Sequence, residues 1–305
     1  MRGGSGNWRL GFTLSLVTAV LWGLLPIALK IVLEEMDAYT ITWWRFAVSM
    51  AGLGVFLASR GELPRLSGAG APAIALLAVA MITLIANYVL YLIALDHTTP
   101  SVAQVVIQLA PLLLLVGGVF VFAEPFARLQ WAGFIVLGAG LLLFFNDRLP
   151  ELARPTEGLG LGVMLIVSAA VSWAIYGLAQ KQLLRHFSAQ QVLWMIYVGA
   201  TVLLLPASAP AEILDLDGMQ LGMLAFCCAN TIAAYGAFGE ALYHWDLSRV
   251  GAVLATAPLF TIGAMWAIER SGLALVAAEG LNALAITGAL AVVAGSMTCA
   301  LTARA

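Results

Sequence analysis

Charge is what this sequence has least of. Only 10% of its 305 residues are Asp, Glu, Lys or Arg, against roughly 25% in an ordinary soluble domain. Ten stretches carry none of these at all: 10–29, 46–59, 66–95, 98–123, 129–146, 158–180, 187–211, 218–239, 250–268 and 280–303. Cysteine is scarce too. Cys227, Cys228 and Cys299 all fall inside those stretches, without Cys-x-x-Cys spacing or paired loop positions, so neither a disulfide framework nor a metal site is indicated. No nucleophile–base pair, metal-ligand cluster or nucleotide loop is visible; neither an enzyme nor a bound cofactor is expected. The net charge is −2 and no basic patch is present, so nothing points to nucleic acid. Long loops are missing as well: the longest, near 147–157 and 270–280, leave no room for a soluble sensor or scaffold domain.

What fills the chain is hydrophobic sequence, 62% of it. A helix needs about 18 or more apolar residues to cross a hydrocarbon core of about 30 Å. Nine of the ten stretches have that length. The second reaches it if Arg45 lies within a helix from about 38 to 58. The expected fold is therefore an all-α integral membrane protein of ten transmembrane helices. These run over about 10–33, 38–58, 70–94, 99–122 and 129–146 in residues 1–150, and 158–181, 188–207, 218–242, 247–268 and 281–303 in residues 151–305. The first stretch follows Arg2 and Arg9 as a signal peptide would. It is too long for a signal core and lacks a small-x-small cleavage site, so it reads as a retained first span.

Orientation follows from Lys and Arg, which accumulate in cytoplasmic loops. With the N-terminus cytoplasmic, Arg2, Arg9, Arg60, Arg65, Arg128, Lys181, Arg185, Arg249 and Arg304 fall inside. Lys30, Arg148, Arg154 and Arg270 fall outside, nine against four, with Arg45 within a span. Both termini are expected to be cytoplasmic, in a bacterial inner membrane.

The spans repeat. An offset of 151 carries Trp22, Ala28 and Lys30 onto Trp173, Ala179 and Lys181, and Trp43 onto Trp194. An offset of 147 carries Tyr88 onto Tyr235, Ala94-Leu95 onto Ala241-Leu242, His97 onto His244, Ser101 onto Ser248 and Pro111 onto Pro258. After an insertion of about eight residues, Gly133 and Gly140 match Gly288 and Gly295. Five spans per copy is odd, so the second copy enters the membrane inverted. Inverted halves can exchange conformations and so alternate access to a midplane site.

Trp22-Gly23, Arg45-Phe46, the stretch Tyr91 to Pro111, the run Pro111 to Glu124 and the glycines after it resemble the drug/metabolite transporter superfamily, EamA-like family. In the second half Trp173, Ala241-Leu242 and Pro258 carry the same likeness. It covers essentially the whole chain and departs after Pro258, where Glu269 comes two residues early and the loop 270–280 is longer. The resemblance implies ten helices, cytoplasmic termini and export of amino acids or other small metabolites. It does not fix the substrate.

Candidate site residues are the polar and aromatic groups deep in the spans, because hydrocarbon cannot satisfy them. Ser101, Gln104, Gln108 and Pro111 share one helical face. Pro111, and Pro258 in the repeat, remove a backbone bond and serve as candidate hinges. Asn87, Tyr88, Tyr91, Asn230, Tyr235 and Thr256 lie at comparable depth. Trp22, Trp173 and Tyr176 are too deep for interfacial anchors, the role that suits Trp8, Trp131, Trp245 and Trp43. Trp22 and Trp173 either pack helices or line a pocket. Arg45 is the one cation within a span; it either snorkels outward or pairs with a substrate carboxylate. His97 and His244 sit at opposite mouths as candidate gates, near Asp96 and Asp246. No Asp or Glu falls near the midplane, so a buried proton relay has no candidate.

The expected protein is a secondary exporter of a small amphipathic metabolite, an amino acid or derivative being the best single guess. The alternatives are a flippase for lipid or lipid-linked substrates and a non-transporting membrane scaffold or sensor. Its partners are the bilayer and a small-molecule substrate. Helices five and ten, with paired glycines seven apart, brace the halves in a monomer or meet a second protomer in a homodimer.

Overall fold

A computed structural model describes residues 7–65, 70–122, 127–153, 157–245, 247–273 and 275–302, without the side chains of 242, 243, 247, 248 and 302. Arg2, Glu124, Arg154, Asp246 and Arg304, and the side chain of Ser248, thus lie outside the described residues.

The described chain is almost wholly helical: α1 (Trp8–Val32), α2 (Ala38–Ser59), α3 (Ala71–His97), α4 (Pro100–Val106), α5 (Leu109–Phe122), α6 (Arg128–Phe144), α7 (Leu149–Leu152), α8 (Gly158–Leu183), α9 (Ala189–Leu204), α10 (Gly218–His244), α11 (Leu247–Leu254), α12 (Ala257–Ser271) and α13 (Ala283–Thr302). Among the described residues nine segments are long and apolar enough to cross a membrane, counting 100–122 and 249–271 as one crossing each; α6 is apolar but shorter. This is an integral membrane protein. Short polar residues start several of the helices by taking their otherwise unpaired first N–H groups. The Asp37 side chain accepts from Tyr39 and Thr40, and Ser188 with Gln191 and Asp217 with Gln220 form reciprocal boxes.

The spans expected over 99–122 and 247–268 as continuous helices are each broken. The first break falls at Ile107–Gln108, between α4 and α5, and the second at Ala255–Thr256, between α11 and α12. The cause lies three or four residues on. Pro111 and Pro258 have no N–H to give the carbonyls of Ile107 and Leu254. The chain tightens instead, with Ala110 N–H bonding Ile107 O at 2.8 Å and Leu259 N–H bonding Thr256 O at 2.9 Å. Proline alone does not decide this, since Pro26 sits inside an unbroken α1.

Around these breaks α1 packs on α10 and α12, while α8 packs on α3 and α5; α2 lies on α9, and α6 on α13. Two interfaces are closed by reciprocal contacts. In the first, Trp43 Nε1 donates to Thr201 O at 3.0 Å and Trp194 Nε1 donates to Met50 O at 3.1 Å. Both residues of one bond map onto the other at the offset of 151. Trp43 is therefore a half-buried interhelix donor and not the interfacial anchor expected of it. Trp245 is corrected likewise: its Cβ abuts Gly11 and its ring meets Phe12 edge-on. Trp8 and Trp131 remain at the surface, 57% and 56% exposed.

In the second interface, Gly133 faces Gly295 and Gly140 faces Gly288, antiparallel. A Cβ built on any of the four would lie 2.6–2.8 Å from the opposite carbonyl oxygen. The glycine faces of α6 and α13 are thus used up against each other within one chain.

Candidate functional site

The two breaks touch. Gln108, in the first, donates from Nε2 to the carbonyl of Ala255, in the second, at 3.0 Å, and its Oε1 accepts from Ser296 Oγ at 3.4 Å. Gln108 and Ala255 are equivalent at the offset of 147. A backbone carbonyl in the broken turn, which an apolar medium would leave unsatisfied, is met by an amide from the opposite turn. Thr256, beside it, turns its hydroxyl back to Val253 O at 2.6 Å. Pro258 is buried and Pro111 exposed.

A polar group lies in the α2, α3, α4 and α10 region. Arg45 is 4% exposed, its Nε donates to Thr231 Oγ1 at 3.1 Å, and its guanidinium carbon lies 4.5 Å from the centre of the Tyr88 ring. Tyr88 is held from another side by Phe46, 4.7 Å between ring centres, and Phe46 stacks on Tyr197 at 5.4 Å. The guanidinium is within electrostatic range of Tyr91, Cys227 and Cys228. Tyr91 OH in turn donates to Gln104 Oε1 at 3.4 Å. Among the described residues no carboxylate lies within ion-pair distance of Arg45. Of the two roles open to it from sequence, outward snorkelling is contradicted, because the head is buried against α10.

The remaining aromatics form two clusters. Trp22 meets Tyr235 edge-on at 5.6 Å and Phe238 at 5.9 Å, joining α1 to α10. Trp173 and Tyr176 pack in the cluster of Phe46, Tyr88 and Tyr197. Asn87 Nδ2 donates across to Ala169 O at 2.9 Å, and Asn230 Nδ2 to Leu21 O at 2.6 Å, which fixes α3 on α8 and α10 on α1. The Oδ1 of Asn230 is buried without a partner. The histidines stand apart from all of this. His97 is exposed at the end of α3, and His244 Nε2 lies 3.1 Å from Glu240 Oε1.

At the end of the bundle that carries Lys30 and His97, ties cross between distant segments. Lys30 Nζ donates to the carbonyls of Leu95 and Asp96 at 2.8 and 3.2 Å, closing the C-terminus of α3. Glu279, 7% exposed, accepts the Ser101 N–H on Oε1 at 2.9 Å, while Arg148 Nη2 donates to its carbonyl at 2.9 Å. Asn146 and Asn282 exchange amide bonds at 3.1–3.2 Å. α4 also touches α12. Glu279 was not expected. Carrying the glycine offset of 155 back to Glu124 would have pointed to it, whereas Glu269, the counterpart read from sequence, is exposed. Among the described residues no group of three or more His, Cys, Asp or Glu could hold a metal ion.

Discontinuous membrane helices that meet at their breaks are a feature of many transporters. The family model of the EamA-like transporter family matches the chain twice, over residues 9–146 and 160–296. The chain is 39% identical over 292 residues to an uncharacterized transporter of Haemophilus influenzae, covering 96% of this chain and 95% of that one. It is 38% identical over 289 residues to the uncharacterized inner membrane transporter YhbE of Escherichia coli, covering 94% and 90%. A probable amino-acid metabolite efflux pump of Escherichia coli is 23% identical, covering 92% of each. A solved crystal structure shares the fold, with a TM-score of 0.63 over 96% of this chain and 98% of that one at 18% identity. This chain belongs to the EamA-like family of the drug/metabolite transporter superfamily. It is a transporter of the bacterial inner membrane.

Proposed function

We propose that the chain exports a small amphipathic metabolite, an amino acid or derivative, by alternating access between two inverted five-helix halves, 1–150 and 151–305. The observation that carries this reading is the bond from Gln108 to the Ala255 carbonyl. It joins the two places where the helix is already broken, and both belong to equivalent positions of the repeat. Two matches of one family model to one chain, and the reciprocal Trp43 and Trp194 bonds, support the same division. Five crossings per half require α6 to span. Its 17 residues reach about 26 Å at 1.5 Å per residue, near the lower limit. The Lys and Arg distribution supports cytoplasmic termini, and the end with Glu279 then faces outward. The Glu279, Arg148 and Lys30 ties at that end support reading it as the closed one.

The substrate reading rests on the neutral amides and aromatics around Arg45, and on the printed name of the efflux pump among the relatives. Gln104→Leu or Trp173→Ala in protein reconstituted into vesicles is expected to lower metabolite flux about tenfold, the effect of losing roughly 1.4 kcal/mol of binding. Melting temperature should hardly change in Gln104→Leu and should fall in Trp173→Ala, whose ring packs in the cluster of Phe46, Tyr88 and Tyr197. Unchanged flux in both variants would remove these residues from the site.

A further inference from the structure

We infer that Arg45 and Ser49 form an anion-binding subsite that selects substrates bearing a single carboxylate. The inference rests on the transport reading above and adds the charge of the cargo. Arg45 is buried inside a span with one hydrogen bond, from Nε to Thr231 Oγ1, and a tyrosine ring against one face. Neither relieves its charge. A cation removed from water without a counter-ion is costly, and residues kept in that condition within membrane helices mark ligand paths. The guanidinium edge that carries the two terminal NH2 groups has no acceptor among the described residues.

Ser49 supplies a second observation. It lies one helical turn from Arg45 on the same face of α2. It is 0% exposed, and its Oγ has no hydrogen-bond partner. Gly52, the next member of that face, brings the backbone of α2 close to Ile232, so the stripe 45–49–52 looks toward α10. The stripe therefore presents a planar two-pronged cation and one hydroxyl donor. A carboxylate accepts both prongs in parallel and has lone pairs left for the hydroxyl. Charge decides against phosphate. A phosphate monoester carries about −1.5 to −2 at neutral pH and would leave part of its charge uncompensated by one guanidinium. A carboxylate cancels it.

The test compares ligands that differ only in charge. Purified wild-type protein is heated with each of the twenty amino acids, their N-acetyl derivatives and their amides, and with O-phosphoethanolamine, a phosphate monoester that has no carboxylate. Vesicle flux is measured with the same probes. Some free or N-acetylated acids should raise the melting temperature, and the matching amides and the phosphate should not. Arg45→Gln should abolish the rise. Arg45→Lys keeps the charge without the fork, and Ser49→Ala keeps the fork without the hydroxyl; each should weaken binding about tenfold or more, as loss of one charge-assisted bond does. Ser49→Ala also serves if Arg45→Gln fails to fold. Equal stabilisation by acids and amides, stabilisation by acids that survives in both Arg45→Gln and Ser49→Ala, or no acid that stabilises the wild type overturns the inference. Flux of amides independent of Arg45 overturns this subsite while leaving the transport reading standing. Absence of flux for every probe overturns both.

Discussion

Gly288→Leu is expected to leave little folded protein in the membrane, and Gly288→Ala to lower stability by about 1–3 kcal/mol, the usual cost of overpacking. The reason is that α6 and α13 meet backbone to backbone. At Gly288 a Cβ would collide with Phe144 N and with the Gly140 carbonyl, at Gly295 with the Gly133 carbonyl, and no flexible side chain stands between them to give way. Without a hydrophobic driving force in lipid, such close approach is a large part of what holds two helices together. Gly138, in the same α6, is the control. A Cβ there meets nothing within 4 Å, so Gly138→Ala should be neutral, or stabilising by up to about 1 kcal/mol through helix propensity. Thermal unfolding of purified protein, with the folded yield from membranes, reads both. Equal effects at Gly138 and Gly288 would mean that the two helices do not meet this way.

Gln108→Leu is expected to cut transport by at least about tenfold with a smaller loss of stability. Leucine fills a similar volume, but it strands the Ala255 carbonyl in an apolar interior and removes the acceptor for Ser296 Oγ. A stranded buried group costs about 1–3 kcal/mol, and its effect should concentrate on the step in which the broken turns move past each other. The matching change on the other side, Ser296→Ala, removes only the weaker 3.4 Å bond and should be mild. Flux in reconstituted vesicles and melting temperature, measured on both variants, separate a transport defect from a folding defect. Full flux in Gln108→Leu would show that the meeting of the two turns is incidental.

The bundle itself was legible in the chain because long uncharged runs leave hydrocarbon as the only solvent for these helices. The repeat was legible because tryptophans, prolines and glycines recur at nearly constant offsets. The breaks were not. A run such as 98–123 gives the length of a crossing but not its continuity, and Pro26, which interrupts nothing, carries the same local signal as Pro111. What separates them is a tertiary partner, Gln108 against Ala255, which no single segment contains. Arg45 illustrates the same limit. Its distance from the helix start allowed it to reach the surface, and only the position of α10, with Thr231 facing it, turns the side chain inward. Trp43 shows it again, since its bond to Thr201 O depends on α9. Glu279 escaped because the insertion before it shifts the offset, and Glu269 stood nearer the expected place.

Spin-label distances across the two ends of the bundle test the alternating-access claim most directly. Labels at His97 and Ser271 report the end that carries Glu279, and labels at Val121 and Arg249 report the opposite end; all four positions are exposed. Both pairs are measured in a background without the three native cysteines, with and without Glu279→Ala, which removes the carboxylate that holds the Ser101 N–H. The account predicts that the first distance lengthens and the second shortens in the variant. Lengthening of both together, or a first distance that grows while the second stays fixed, would contradict it.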